Sequence, residues 1–130
     1  MATFDAATLA RLEAVQTVRI QTVDRHDPGG APRSTIIWIV VDDGDVFVRS
    51  VRGTRGRWYR DLQADPHAVV VAHRDRWPAI DVEAEPADDP PSIERCSRAL
   101  ERTYAADPAL ASMLRPETLA TTLRLVPTVA

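Results

Sequence analysis

The 130-residue sequence contains no lysine and a single cysteine, Cys96. One cysteine excludes an internal disulfide and is typical of cytoplasmic proteins. The longest apolar run, residues 36–41, is far shorter than the roughly 18 residues that a membrane span requires. The N-terminal segment also lacks the basic and apolar regions of a secretory signal. We therefore expect a single cytoplasmic domain over residues 1–130 with no membrane partner.

The sequence also lacks the usual motifs of metal binding and nucleophilic catalysis. Its three histidines are His26, His67 and His73, and no two of them have the spacing of a metal site. It contains no Walker motif, no dinucleotide-binding fingerprint and no nucleophile elbow. Cys96 lies on the apolar side of a predicted helix, where we expect a small core residue rather than a nucleophile. The sequence predicts no metal site, and its catalytic residues stay unknown.

Positive charge is concentrated in one segment, although the net charge of the chain is −3. Five arginines lie within residues 49–60, together with two glycines and the pair Trp58-Tyr59. We call this segment the arginine loop. Arginine side chains and the free N–H groups of a glycine turn match the oxygens of a phosphate, so the segment predicts an anion site.

Two other interpretations of the arginine loop remain open. It could be a solvated basic edge, or a nucleic-acid site in which Trp58 and Tyr59 stack on bases. The net negative charge of the chain argues against broad neutralisation of nucleic-acid phosphates. We therefore expect no nucleic-acid partner.

The hydrophobic pattern predicts a mainly β protein. Alternating and β-branched segments predict six short strands, at residues 17–23, 34–41, 46–51, 68–73, 78–85 and 121–126. Asp43-Gly44 predicts a tight hairpin turn. Helices are expected at residues 4–12, 58–64 and 93–105, the last capped by Ser92, with a helical turn at 109–114. This order predicts a small β-barrel with flanking helices.

Three segments resemble one protein family. They are Gly-Ala-Pro-Arg-Ser-Thr-Ile-Ile-Trp-Ile-Val at 30–40, Asp-Gly-Asp-Val-Phe-Val-Arg-Ser at 43–50 and Gly-Thr-Arg-Gly-Arg-Trp-Tyr-Arg-Asp-Leu-Gln-Ala-Asp-Pro at 53–66. They resemble the first hairpin, the next strand and the phosphate loop of the split β-barrel flavin-binding clan. That clan contains the pyridoxamine 5′-phosphate oxidase-like proteins and the deazaflavin-dependent nitroreductase-like proteins. Within it, the arginine loop is most similar to an uncharacterised bacterial subgroup.

The resemblance implies a cofactor site at the arginine loop. In the clan, a hydroxyl residue at the strand end and the basic residues after it hold the flavin phosphate, which implies Ser50, Arg55 and Arg57 here. A residue on the preceding strand also contributes, matching Arg33 or Thr35. The full set of implied cofactor-binding residues is Arg33, Thr35, Ile36, Trp38, Arg49, Ser50, Arg52, Gly53, Arg55, Gly56, Arg57 and Trp58.

The resemblance also implies a cofactor, an activity and an assembly. FMN is the expected cofactor, and the deazaflavin coenzyme F-420 is the alternative, because Gly53, Gly56 and Trp58 also match the deazaflavin loop. The chain would be a homodimer with the site at its interface and a flavin-dependent oxidoreductase of unknown substrate. The second hypothesis is a non-enzymatic module of the same fold that binds flavin, deazaflavin or haem.

Overall fold

Residues 3–128, which the computed structural model describes, form seven β-strands and five α-helices. In chain order these elements are α1 (Ala6–Ala14), β1 (Thr17–Thr22), β2 (Arg33–Trp38), β3 (Val40–Asp42), β4 (Asp45–Val48), a 3₁₀ helix (Gly53–Arg55), α2 (Arg57–Ala64), β5 (His67–Ala72), β6 (Ile80–Pro86), α3 (Pro90–Thr103), α4 (Leu110–Met113), α5 (Pro116–Leu119) and β7 (Leu123–Pro127). None of the helices in this range is long and apolar enough to cross a membrane.

The strands form one antiparallel sheet in the order β2-β1-β5-β6-β7-β4-β3. β2 and β3 lie at opposite edges of this sheet, yet only Ile39 separates them in the chain. The sheet must therefore curl until its two edges approach each other. The prediction of a single strand at residues 34–41 is wrong, because this segment forms two strands. It pairs with β1 up to Trp38 and with β4 from Val40.

The concave side of the curled sheet holds the main hydrophobic core. Alternate residues of β1 point inward, so Val18 and Ile20 are fully buried while Arg19 between them is not. Trp58 and Leu62 of α2 pack into the same core. Because α2 immediately follows the 3₁₀ helix, this packing also positions the arginine loop.

A second, smaller core lies between the sheet and α3. Phe47 of β4 is fully buried there, against Cys96, Ala99 and Leu100 of α3. A buried phenylalanine of this kind typically contributes about 3–5 kcal/mol relative to alanine. The two cores together hold β4 on both of its faces, and the arginine loop begins directly after that strand.

The turn between β3 and β4 follows directly from the sequence. Asp43 and Gly44 have φ angles of 47° and 81°, the left-handed conformation that a two-residue hairpin of type I′ requires. Glycine adopts this conformation without steric cost, and aspartate tolerates it better than most residues. The predicted hairpin turn is therefore confirmed.

Two helix starts differ from the prediction by two residues or more. α3 begins at Pro90, because the Asp89 carboxylate caps it by accepting hydrogen bonds from the Ser92 N–H at 3.1 Å and the Ser92 hydroxyl at 2.9 Å. Ser92 is thus inside the helix and was wrongly predicted as its cap. Proline fits the first helical turn, where its missing N–H is not needed. α1 begins at Ala6 rather than residue 4, because Asp5 caps it.

Candidate functional site

A cavity of about 460 Å³ opens where the arginine loop meets the edge strand β2 and the helix α4. Its volume lies within the roughly 300–1,000 Å³ range of small-molecule sites. The residues that line it are Thr17, Thr35, Ile36, Ile37, Trp38, Arg49, Ser50, Val51, Arg52, Gly56, Arg57, Trp58, Ala109 and Met113.

Most residues of the predicted cofactor set line this cavity. The structure brings together Thr35, Ile36, Trp38, Arg49, Ser50, Arg52, Gly56, Arg57 and Trp58. Arg33, Gly53 and Arg55 do not line it. Their positions are described below, and the cofactor role of the whole set stays a prediction.

Five residues that line the cavity lie outside the implied cofactor-binding set: Thr17, Ile37, Val51, Ala109 and Met113. Thr17 could have been found, because the β1–β2 hairpin pairs it with Trp38. Its hydroxyl lies 2.8 Å from Nδ1 of His73. Ala109 and Met113 reach the cavity because α4 packs beside it; the helical turn was predicted, but its packing position was not.

Arg33 points to Asp61 of α2 instead of the cavity. Its Nε and Nη2 donate to the two oxygens of the Asp61 carboxylate at 3.1 and 2.9 Å. Arg25 and the Thr22 hydroxyl donate to the same carboxylate. Burial would raise the pKa of Asp61, but these hydrogen bonds, with that of Arg33 the largest, hold it below its usual value. The charge of Arg33 is therefore compensated within the fold.

Arg49 is buried beside the cavity, and its hydrogen-bond acceptors among the described residues are all neutral. Its guanidinium donates to the hydroxyls of Thr122 and Ser97, each at 3.0 Å, and to the carbonyls of Met113 and Ile93, each at 3.1 Å. Burial lowers the pKa of Arg49, yet an arginine stays charged at neutral pH. The side chain thus ties β4 to α3 and leaves a positive charge beside the cavity that these acceptors do not neutralise.

Both glycines of the turn that follows Arg49 lie where an added Cβ would meet a neighbouring atom. Gly53 has a φ of 62°, and a Cβ there would lie 2.8 Å from the carbonyl oxygen of Glu117. A Cβ on Gly56 would lie 2.2 Å from the Ser50 hydroxyl oxygen. That oxygen is buried and has no hydrogen-bond partner in the described part of the chain. Gly53 is therefore a structural residue of the turn, while Ser50 keeps an unused donor next to the cavity.

The first turn of α2 faces this site without a capping side chain. Gly56 is the N-cap residue, and no side chain among residues 3–128 accepts a hydrogen bond from the helix start. Free N–H groups and the helix dipole at such an end favour an anion. Arg57 extends beside it and donates to the Thr35 hydroxyl at 3.2 Å.

Arg52 and Arg57 supply exposed charge at the rim of the cavity. Neither of them forms an ion pair with any residue between 3 and 128. Arg55, on the 3₁₀ helix, is exposed but lies outside the lining. Two guanidinium groups, a hydroxyl and a helix N-terminus form a donor set that fits a phosphate group.

Trp58 is packed in the main core and is only 7% exposed. Stacking on single-stranded bases requires an aromatic face that is open to solvent. The buried position of Trp58 therefore does not support its predicted role as a stacking residue for nucleic-acid bases.

Cys96 lies in the second core and is fully buried. Burial raises the pKa of its thiol to about 11, although the charge of Arg49 acts in the opposite direction. The thiol is therefore protonated at neutral pH, as expected for a core residue rather than a nucleophile. In the described part of the chain, no cluster of three or more histidine, cysteine or acidic residues could hold a metal ion.

One family model matches most of the chain. It is described as "Uncharacterized protein conserved in bacteria (DUF2255)" and matches residues 8–125. Among curated proteins, no sequence matches this chain.

Several solved structures have a similar fold. A Listeria innocua protein, provisionally assigned as a pyridoxamine 5′-phosphate oxidase, is 18% identical with a TM-score of 0.65, covering 95% of this chain and 92% of its own. The haem storage protein HutZ of Vibrio cholerae is 15% identical with a TM-score of 0.65, and the match covers 96% of this chain and 91% of HutZ. An FAD-binding protein of Mesorhizobium loti is 16% identical with a TM-score of 0.59, and the match covers 98% of this chain and 92% of that protein. At such identities these matches show the fold, and they confirm the predicted split β-barrel of the pyridoxamine 5′-phosphate oxidase-like proteins.

Proposed function

The chain belongs to the DUF2255 family of bacterial proteins, and we propose that it binds FMN in the cavity beside the arginine loop. The observation that carries this proposal is the uncapped N-terminus of α2, which faces the cavity between two rim arginines that form no ion pair among the described residues. Such an arrangement favours a phosphate over a neutral group. The similarity to an FAD-binding protein supports a flavin as the carrier of that phosphate.

Each residue type at the site has a distinct part in this proposal. Arg52 and Arg57 would hold the phosphate oxygens from the rim, and Ser50 would donate its unpartnered hydroxyl. Arg49 would raise the electrostatic potential in the cavity, because all four of its acceptors are neutral and leave its charge uncompensated. The flavin ring would lie along the edge strand β2, at residues 36–38.

The enzymatic form of the proposal is an oxidoreductase. A bound flavin supplies hydride transfer, and the protein supplies orientation and electrostatics. The fixed charge of Arg49 would favour an anionic group in the cavity. A non-enzymatic flavin carrier uses the same contacts, so steady-state turnover of the reduced cofactor with candidate acceptors separates the two forms.

We further propose that two copies of the chain pair over the cavity. Ile36 and Val51 are the large hydrophobic residues of the described chain that remain most exposed, at 47% and 43%. Both line the cavity. Apolar residues at the mouth of a small-molecule site would be covered by a second subunit, which would also exclude water from the ring.

Haem binding is the second candidate function. It is favoured by the position of Met113, whose residue type can serve as an axial ligand of haem iron and which lines the cavity. A haem storage protein also has a similar fold. A haem titration followed by the Soret band tests this candidate, and loss of the band shift in Met113→Leu would support it.

The phosphate assignment is tested by titrating matched variants with FMN and riboflavin. Arg57→Ala should weaken FMN by roughly 10- to 100-fold, the range for one charge-assisted hydrogen bond, and leave riboflavin nearly unchanged. Arg60→Ala is the matched control, because Arg60 is an exposed arginine of α2 outside the cavity lining. Equal losses for the two ligands would refute the phosphate assignment. Parallel titration with deazaflavin coenzyme F-420 decides between the two cofactors.

A further inference from the structure

Trp38 and Tyr104 form a parallel aromatic stack beside the cavity. Their ring centroids are 3.9 Å apart and their planes differ by 5°. Trp38 is at the end of the edge strand β2, and Tyr104 directly follows α3. The stack therefore joins two elements that are distant in the sequence, at the point where the sheet edge meets the helix.

The position of Tyr104 is fixed by its hydroxyl group. The oxygen accepts a hydrogen bond from the Ile39 N–H at 3.2 Å and lies within donating distance of the Gln16 and Ile39 carbonyls. The side chain is 2% exposed. Because Tyr104 is held at Ile39, where the chain changes from one sheet edge to the other, it is a rigid support for the indole ring.

Trp38 is partly exposed and lines the cavity. One of its faces is covered by Tyr104, so the surface that it offers to a ligand is its other face and its free edge. Aromatic rings prefer offset-stacked or edge-to-face contacts with other planar π-systems, and an exposed indole can offer either to a ligand ring. Trp58, the other tryptophan of the lining, is packed in the main core and is less suited to this contact.

We infer that Trp38 is a stacking platform that selects a ligand with a planar conjugated ring. The inference rests on the proposed function, in which the arginine loop holds the anionic end of the same ligand. Trp38 stacks on the ring, whereas Arg52 and Arg57 bind the phosphate. The ligand class is therefore a planar heteroaromatic ring joined to a phosphate.

The test compares FMN and riboflavin binding in three variants of the full chain. Trp38→Leu should weaken both ligands by a similar factor, roughly 3- to 10-fold, because both carry the ring. Trp38→Phe, which keeps an aromatic face, should restore most of the affinity. Trp77→Phe is the control for altered tryptophan content, since Trp77 is absent from the cavity lining. Arg57→Ala, by contrast, should affect FMN alone.

A spectroscopic readout separates stacking from a merely structural role. Binding to the wild-type protein should quench flavin fluorescence and shift the proton resonances of the flavin ring upfield. Both effects should be lost in Trp38→Leu and kept in Trp38→Phe. The wild-type ring-current shift can be measured even where a variant does not fold, and bound flavin without it would overturn the inference.

The possible failures are distinct from one another. Wild-type protein that binds neither flavin overturns the proposed function, and this inference falls with it. Wild-type protein that binds FMN, with unchanged affinity and unchanged quenching in Trp38→Leu, overturns the stacking inference alone. A Trp38→Leu variant that loses FMN but retains riboflavin would likewise exclude a role in ring recognition.

Discussion

The Arg33 guanidinium donates two parallel hydrogen bonds to the Asp61 carboxylate, from Nε at 3.1 Å and from Nη2 at 2.9 Å. Thr22 and Arg25 donate to the same carboxylate, whose side chain is fully buried. This network fastens α2 to β1, β2 and the segment between them. Since the N-terminus of α2 faces the cavity, Asp61 sets the position of the candidate phosphate site without lining it.

We predict that Asp61→Ala destabilises the protein by about 2–3 kcal/mol. The loss for a fully buried ion pair is about 3–5 kcal/mol, and it is smaller here because the Arg25 and Arg33 side chains remain 23% and 21% exposed. Urea unfolding measures the change. Asp81→Ala is the control, since this exposed carboxylate should change stability by less than about 0.5 kcal/mol. Similar losses for both variants would contradict the assigned role of Asp61.

Asp61 should also contribute to stability in a pH-dependent way. Its pKa is lower in the folded protein, so its contribution is complete above the unfolded pKa of about 3.9 and is lost as the pH falls through the folded value. The difference in unfolding free energy between wild type and Asp61→Asn should therefore narrow below about pH 4. Comparing the two proteins removes the contributions of other carboxylates. A difference that is constant with pH would show that the charge of Asp61 is not involved.

Gly56→Ala should destabilise the protein, and removal of the Ser50 hydroxyl should relieve part of the loss. The added Cβ would lie 2.2 Å from Ser50 Oγ but 3.4 Å from Ser50 Cβ. We expect a loss of about 1–3 kcal/mol for Gly56→Ala alone, as for other overpacked sites. In the double variant Ser50→Ala/Gly56→Ala the loss should be clearly smaller. A double-mutant cycle by thermal unfolding measures this coupling, and strictly additive effects would contradict the predicted clash.

Ser50→Ala by itself should separate binding from stability. Its hydroxyl has no protein partner in the described residues, so its removal should change the unfolding free energy by less than about 1 kcal/mol. If Ser50 donates to a phosphate, FMN affinity should nevertheless fall while riboflavin affinity stays constant. Unfolding curves and titrations on the same sample measure both quantities. Unchanged FMN affinity would remove Ser50 from the proposed site.

The proposed dimer is tested by the mass of the protein in solution. We expect wild type to be a dimer by light scattering and Ile36→Glu to be largely monomeric, because a charge would be buried in an apolar contact. Ala105→Glu introduces the same charge at an exposed position outside the cavity lining and should leave the mass unchanged. A monomeric wild-type protein at micromolar concentration would refute the pairing.

The strands and the hairpin turn were predictable because their signals are local. Alternation of buried and exposed residues identified β1, and the left-handed conformation at Asp43 and Gly44 follows from the residue types themselves. The break at Ile39 was not predictable in the same way. It arises because one apolar segment pairs with two different strands, and pairing partners are not encoded in local pattern.

At the candidate site, the arginine loop likewise combines features that local sequence encodes with features that only tertiary contacts set. The sequence by itself determined that positive charge and two glycines are concentrated there, which is a matter of composition and spacing. Only the tertiary structure decided the role of each arginine of the predicted site, both in the loop and on β2. It pairs Arg33 with Asp61, buries Arg49 among neutral acceptors and leaves Arg57 at the cavity rim. The physical reason is that the charge a residue presents to a ligand depends on partners that folding brings from distant positions, and no local pattern specifies those partners.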